Sequence, residues 1–390
     1  MIRHLVRGAV WSLVAVLMLN CSAMAGKSME LRSANTYYGQ GDKVQALEWY
    51  EKAMQKDTRE AQVYERLVEL YAEQQRWVEM NKAYQGFKTC QDKPKDLEKA
   101  QGDAERIIEQ LWKGLWNGHV AQIKAADSTL ALGDSTAAKE HFKQARDRMD
   151  KALLILPDRS DFLKRKGDLY IQEFNALDTG THGFPLLIEA AKIYQTLVSA
   201  SPDSAEYALT LVQLTYNVRD FDKCRQVVDQ ALVQHATHPE LLNYAGKVRI
   251  QQGLALKTDE GKKLMGEASG FLNKAIELNP NDPMLVYNLA LLYRDMGEPE
   301  KALATFGRIE ALAQGRNDLL FDSWYSLAVL YFQDLPEGKQ DPVKAADYFQ
   351  KCLNLQPDNK GLKFNLGVAL VRTGNKDNVT RGKKLMSEGQ

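Results

Sequence analysis

Cysteine, proline and long apolar runs are all scarce in this sequence of 390 residues. Its four cysteines show no CxxC or Cys/His spacing, so the pattern supports neither a disulfide framework nor a zinc site. With only 11 prolines and 44% hydrophobic residues, the chain is not compositionally disordered and can bury a core. After residue 25, no apolar run approaches the roughly 20 residues that cross a bilayer.

Neither sign of charge is in excess, because 51 Lys and Arg residues balance 51 Asp and Glu residues. A balanced chain has no net field to attract nucleic-acid phosphates or an anionic membrane surface. We therefore expect no nucleic-acid partner, and membrane contact only through a lipid anchor.

The first 25 residues have the composition of a bacterial secretory signal. Arg3 and Arg7 precede an apolar run over residues 8–19, and the small residues at 23–25 offer a cleavage site. This pattern predicts export, removal of residues 1–25 and a periplasmic location.

A lipobox over residues 18–21 is the alternative interpretation of the same segment. Cys21 would then be acylated and hold the protein at the outer membrane, where it would serve envelope assembly or secretion. Asn20 stands where such a motif usually has a small residue, which favours cleavage after residue 25.

The remainder of the chain repeats a pattern of two helices. The clearest unit has apolar or small residues at helical spacing on both sides of Gly297, which indicates two antiparallel helices joined at a glycine turn. Its residues are Val286, Leu289, Ala290, Tyr293, Gly297, Ala302, Phe306 and Ile309. Similar units occur at 33–53, 64–87, 125–145 and, more weakly, 211–231.

Three further units fit only with extra residues between their two helices. They begin near Leu163, Leu242 and Trp324, and their second helices are followed by Pro202, Pro280 and Pro357. Proline cannot continue a helix, so each one predicts a helix end. From residue 159 to 357, units with and without the insertion alternate, which predicts longer turns that project from one edge.

This pattern resembles the tetratricopeptide repeat, a helix-turn-helix unit of about 34 residues. The resemblance implies an all-α fold, a right-handed superhelix (α-solenoid) of about eight to nine repeats in two segments. We expect an N-terminal segment over 26–156 with long helices and a C-terminal segment over 157–390 with insertions. Residues 95–118 are helical in pattern but match no unit, so they are the predicted seam.

The resemblance also implies a function in binding. In stacked helix pairs, first-helix side chains line a concave groove that suits a peptide or a helix. The family's groove-facing positions, the fifth, ninth and twelfth of a unit, make up the candidate site. They are Tyr287, Leu291, Arg294, Tyr325, Val329, Phe332, Phe364 and Val368. Alternatively, these residues pack against a neighbouring helix or the C-terminal segment of the same chain.

The sequence predicts no catalytic, cofactor or metal site. His235 and His238 are three residues apart, but no third metal ligand is predicted beside them. His182 lies in a glycine-rich insertion, and no nucleophile can be assigned to it. We therefore predict a non-enzymatic scaffold or adaptor of the bacterial cell envelope that binds a protein or peptide. A hydrolase that uses these histidines is the alternative from another class.

Overall fold

Helices joined by short turns make up this computed structural model, which describes residues 28–56, 59–177, 180–256 and 258–389. The predicted signal over 1–25 and the lipobox Cys21 lie outside these residues. The described residues contain no strand, so the all-α prediction is confirmed. None of their helices has both the length and the apolar character needed to cross a bilayer. The chain forms two compact units, residues up to 179 and residues from 180 onward. The predicted change of segment at 156/157 stays a prediction.

The first unit consists of helix pairs and one additional helix. Within each pair the two helices pack on one another: α1 on α2, α3 on α4, and α5 on α6, with α7 packed on α6. The described helices are α1 (Met29–Gly39), α2 (Lys43–Lys56), α3 (Ala61–Glu73), α4 (Trp77–Gln85), α5 (Pro94–Ala131), α6 (Ser135–Ile155) and α7 (Ser160–Leu177), with a 3-10 helix at Gly86–Thr89.

Helix α5 corrects the predicted seam at 95–118. It runs for 38 residues, so the supposed seam continues unbroken into the first helix of the next predicted unit. The reason is that both halves have partners: Ile108 is buried in the core formed with α3, and Ile123 is buried against α6. One rigid helix therefore serves two successive layers of the first unit.

A buried imidazole lies where α5 meets α7. His119 is 0% exposed, its Nδ1 lies 2.6 Å from the carbonyl oxygen of Trp116, and its Nε2 accepts a hydrogen bond from Nε of Arg165 at 3.1 Å. Burial, and then the charge of Arg165, lower the pKa of His119 from its ordinary value of 6.5. The folded protein therefore holds this imidazole neutral.

We expect the free energy of unfolding to fall as the pH drops below about 6.5, since the unfolded chain takes up a proton at His119 that the folded chain resists. Because the pKa of His119 is lower in the folded protein than in the unfolded chain, its stabilising contribution is complete above the pKa of the unfolded chain. The contribution is lost as the pH falls toward the pKa of the folded protein. His119→Gln should show a flatter dependence, by up to about 1.4 kcal/mol per pH unit. Urea unfolding followed by tryptophan fluorescence measures it, and parallel curves for both proteins would contradict the assignment.

The second unit is a continuous series of helices in which each one packs on the next. Proline or a capping side chain begins most of them, and the predicted ends before Pro202, Pro280 and Pro357 are confirmed. After a 3-10 helix at Gly180–Gly183, the helices are α8 (Phe184–Ala200), α9 (Ala205–Asn217), α10 (Phe221–Gln234), α11 (Pro239–Ala255), α12 (Asp259–Leu278), α13 (Pro283–Asp295), α14 (Pro299–Leu312), α15 (Asn317–Val329, continued by a π-helical turn at Leu330–Asp334), α16 (Pro342–Leu355), α17 (Lys360–Arg372) and α18 (Lys376–Gly389).

The extra residues between Leu242 and Ala268 do not form the projecting turn that the sequence predicts. They lengthen both helices instead, so that α11 and α12 have 17 and 20 residues where α13 and α14 have 13 and 14. The insertion after Trp324 does form irregular structure, as the π-helical turn and a loop before α16.

A close approach of backbones explains why α11 and α12 are extended together. A Cβ added to Gly261 would lie 2.6 Å from the carbonyl oxygen of Gly253, and one added to Gly382 would lie 2.6 Å from that of Gly367. Only glycine allows helices to cross this closely. The sequence Gly-Lys-Lys-Leu-Met occurs at 261–265 and again at 382–386, and each copy begins with a glycine at a close helix crossing.

Candidate functional site

An open pocket of ≈ 410 Å³ lies in the second unit, between the first helices of three successive repeats. Two of the lining residues lie on α13, four lie on α15, three lie on α17, and one directly precedes α17. They are Tyr287, Arg294, Phe321, Asp322, Tyr325, Ser326, Asn359, Gly361, Leu362 and Asn365. Three predicted site residues, Tyr287, Arg294 and Tyr325, thus lie in one pocket.

The two tyrosines occupy the same position in successive repeats and pack in the same way. The ring of Tyr287 meets Phe306 edge-on with centroids 5.8 Å apart, and the ring of Tyr325 meets Phe349 likewise at 5.7 Å. Tyr325 also stacks on Phe321 at 6.5 Å and remains 37% exposed. Each tyrosine therefore packs within its own helix pair and forms part of the pocket wall.

The other five predicted residues do not line this pocket. Leu291 packs against the core around α13 and α14, whereas Val329 and Phe332 pack against the core around α15 to α17. Arg372 also covers Phe332, with its guanidinium 4.9 Å from the ring centroid. On α17 it is Gly361, Leu362 and Asn365 that line the pocket, rather than Phe364, which is 36% exposed, or the half-buried Val368. Their contact with a ligand stays a prediction.

Asp322 is the one carboxylate among the described residues that line the pocket. No described residue forms a hydrogen bond or an ion pair with its side chain. Its backbone carbonyl oxygen accepts a hydrogen bond from the Ser326 hydroxyl at 2.8 Å. Partial desolvation, and then the charge of Asp318, raise the pKa of Asp322 above its ordinary value. The carboxylate is therefore partly desolvated and lies close to a second carboxylate.

The remaining polar groups of the pocket are largely committed to neighbours. Arg294 bonds Asp295 through Nη2 at 3.2 Å, and Asn365 donates to the hydroxyl of Tyr325 at 3.4 Å. The side-chain oxygen of Asn359 caps α17. A ligand would thus meet oriented polar groups and aromatic faces.

Two neighbouring pockets extend the first one along α15. One of ≈ 420 Å³ shares Phe321 and Asp322 with it and is completed by Asn317, Asp318, Leu355 and Gln356. The other, of ≈ 620 Å³, shares Arg294 and adds Asp295, Gly297, Pro299, Glu300, Leu330, Asp334 and Pro336. We call the three together the α15 groove. It extends from the first residue of α15 to the end of the π-helical turn.

Sequence reasoning missed Phe321 and Asp322. Phe321 precedes Tyr325 by four positions, so the two rings lie on one face of α15, and this spacing was a usable signal. Asp322 gave no such signal, since an acidic residue on an otherwise ordinary helix usually faces solvent.

The residues considered for other chemistry lie outside this groove. His238 caps the N-terminus of α11, His235 follows α10, and His182 is exposed in a 3-10 helix. Within the described residues, no group of three His, Cys, Asp or Glu side chains is placed to hold a metal. Cys224 and Cys352 are buried, which raises the pKa of their thiols to about 11 and about 12.

The family model described as a tetratricopeptide repeat matches residues 271–304, from the second half of α12 into α14. That segment contains the whole of α13 with parts of α12 and α14, and its Leu289 and Ala302 are buried in the core of the second unit. The chain is a tetratricopeptide-repeat (TPR) protein. Proteins of this fold commonly act as platforms on which other proteins bind.

The TPR protein is similar to the human protein O-mannosyl-transferase TMTC1, with 23% identity over 248 residues. That match covers 64% of this chain and 24% of the human protein, so the chain spans about a quarter of its relative's length. A TPR protein from Parabacteroides merdae has a similar structure, at 17% identity and a TM-score of 0.43, over 70% of this chain and 94% of that one. So does pilF of Pseudomonas aeruginosa, at 18% identity and a TM-score of 0.38, over 63% and 94%.

Proposed function

We propose that this TPR protein is a non-enzymatic scaffold that holds an extended segment of a partner protein in the α15 groove. One observation carries the proposal: successive repeats present Tyr287 and Tyr325 from equivalent positions to one open pocket. Aromatic side chains with one edge packed and one face free are favoured anchors at protein interfaces.

We further propose that it acts in the bacterial cell envelope. The support is the arginines, apolar run and small residues of positions 1–25, which have the order of a secretory signal. A periplasmic protein would begin at residue 26, and an outer-membrane lipoprotein would begin at an acylated Cys21. The mass of the mature N-terminal peptide distinguishes the two.

An enzymatic role has less support. The human relative is named as an O-mannosyl-transferase, but the matched segment is 24% of its length. The histidines that a hydrolase would use, His182, His235 and His238, do not line the α15 groove.

Site-specific photo-crosslinking in cells tests the scaffold. A crosslinking amino acid at Asn365, in the pocket, should capture a partner, and one at Asp347, exposed on α16, should not. Tyr325→Ala should remove the captured band, because loss of a central aromatic anchor costs about 2 kcal/mol, or roughly thirtyfold in affinity. Tyr325→Phe keeps the packed ring and controls for folding. Equal capture at Asn365 and Asp347, or capture unaffected by Tyr325→Ala, would contradict the groove assignment.

A further inference from the structure

The side chains that line the α15 groove are unequal in charge, although the whole chain is neutral. The described lining residues include one guanidinium, that of Arg294, and five carboxylates. These are Asp295, Glu300, Asp318, Asp322 and Asp334. A concave surface with this imbalance favours a cationic ligand and repels nucleic acid.

Three of the five carboxylates already have cationic partners within the protein. These ion pairs are Arg294–Asp295 at 3.2 Å, Arg316–Asp318 at 3.0 Å and Lys339–Glu300 at 3.0 Å. Asp322 and Asp334 differ, because no described residue forms an ion pair or hydrogen bond with either side chain. They are the two places in the groove where a partner's cation would meet a carboxylate without competition.

The surroundings of Asp322 suit a cation in a second way. The rings of Tyr287, Phe321 and Tyr325 line the same pocket, and aromatic faces attract Lys and Arg side chains. The long aliphatic stems of those side chains can also lie on the rings while the charged end reaches the carboxylate. Lysine or arginine is therefore the side chain that fits this pocket in both charge and shape.

The spacing of the two carboxylates sets the spacing of the partner's cations. Asp334 follows Asp322 by twelve positions along α15 and its π-helical turn, which corresponds to about 18 Å at 1.5 Å per residue. An extended peptide covers this length in about five residues. The groove as a whole, from Asn317 to Asp334, is about 25 Å long and accommodates roughly seven or eight residues.

We propose that the α15 groove selects an extended basic segment of a partner protein, with one Lys or Arg on Asp322 and a second about five residues further on, at Asp334. The inference rests on the proposed function and adds the charge and spacing of the partner segment. The groove should therefore bind a peptide whose cations are separated more tightly than a basic tail whose cations are adjacent.

Fluorescence anisotropy with the full protein tests this selectivity. Two labelled peptides of about ten residues and identical composition are compared, one with lysines about five positions apart and one with adjacent lysines. The separated lysines should bind about fivefold more tightly, because they engage both carboxylates. A peptide with glutamate in place of lysine should bind much more weakly than either, and added salt should weaken the lysine peptides.

Single neutral substitutions assign the effect to residues. Asp322→Asn and Asp334→Asn should each weaken the separated-lysine peptide about fivefold, whereas Asp347→Asn on the exposed face of α16 should not change it. Equal affinity for the two lysine peptides, or no loss in Asp322→Asn, would overturn the inference. If uncharged aromatic peptides bind equally well and Tyr325→Ala abolishes that binding, selectivity fails while the groove's function stands. If no crosslink forms at Asn365, the proposed function itself fails.

Discussion

Gly261→Ala should lower the free energy of unfolding of the second unit by about 2–3 kcal/mol, and Gly270→Ala on the same helix should raise it by about 0.5–1 kcal/mol. The added methyl at position 261 meets the carbonyl oxygens of Leu256 and Gly253, the latter at 2.6 Å, and backbone cannot rotate aside. At position 270 no atom lies within 4 Å, so alanine contributes only its better helix propensity.

Urea unfolding followed by far-UV circular dichroism measures both variants under the same conditions. The two helical glycines differ only in their surroundings, so each variant is the control for the other. A shift of the same sign in both would mean that helix propensity, and not the crossing of α11 and α12, determines stability there.

Arg249→Met should destabilise the second unit by about 2–4 kcal/mol. Arg249 is 5% exposed on α11, where it bonds Asp229 of α10 at 2.9 Å and Glu267 of α12 at 3.1 Å, above the ring of Phe271. Removing the guanidinium leaves Asp229 and Glu267 with only the longer contacts to Arg225, at 3.8 and 4.0 Å. Both carboxylates are about 40% exposed and keep these contacts, so the loss falls below that of a fully buried pair.

A triple variant separates charge from packing in this cluster. Neutralising the carboxylates as well, with Asp229→Asn and Glu267→Gln added to Arg249→Met, should recover part of the lost stability, because the two carboxylates no longer repel each other. Arg225 then loses both of its acidic partners, but its side chain is 37% exposed and stays hydrated. Thermal and urea unfolding of the single and triple variants give the comparison. A triple variant less stable than Arg249→Met would show that the side-chain stem and hydrogen bonds matter more than the charges.

Much of the fold could be predicted because the repeat pattern is local. A helix that ends before Pro280 or Pro357 and turns at Gly297 needs only the preferences of those residues. The continuous helix Pro94–Ala131 could not be predicted, since its N-terminal half matches no unit and is fixed by contacts with α3. The paired extension of α11 and α12 depends likewise on a close contact between the two helix backbones, which the preferences of the residues on either helix do not specify.

The site was predictable to a similar degree. Family positions placed Tyr287, Arg294 and Tyr325 in one pocket, because equivalent positions of stacked repeats face the same side. They did not indicate that Phe332 is covered by Arg372, or that no described residue forms an ion pair or hydrogen bond with the side chain of Asp322. Such facts depend on pairings between repeats, which a repeat pattern does not specify.

The residues that line the pocket belong to three helix pairs, and this affects how the C-terminal end of the stack unfolds. In a repeat stack each pair contacts only its neighbours, so the C-terminal end can unravel one pair at a time. A ligand that contacts α13, α15 and α17 together stabilises all three helix pairs, so that they would unfold together rather than one at a time. Occupancy of the groove would therefore slow amide hydrogen exchange across three repeats at once, including α18, which the ligand never touches.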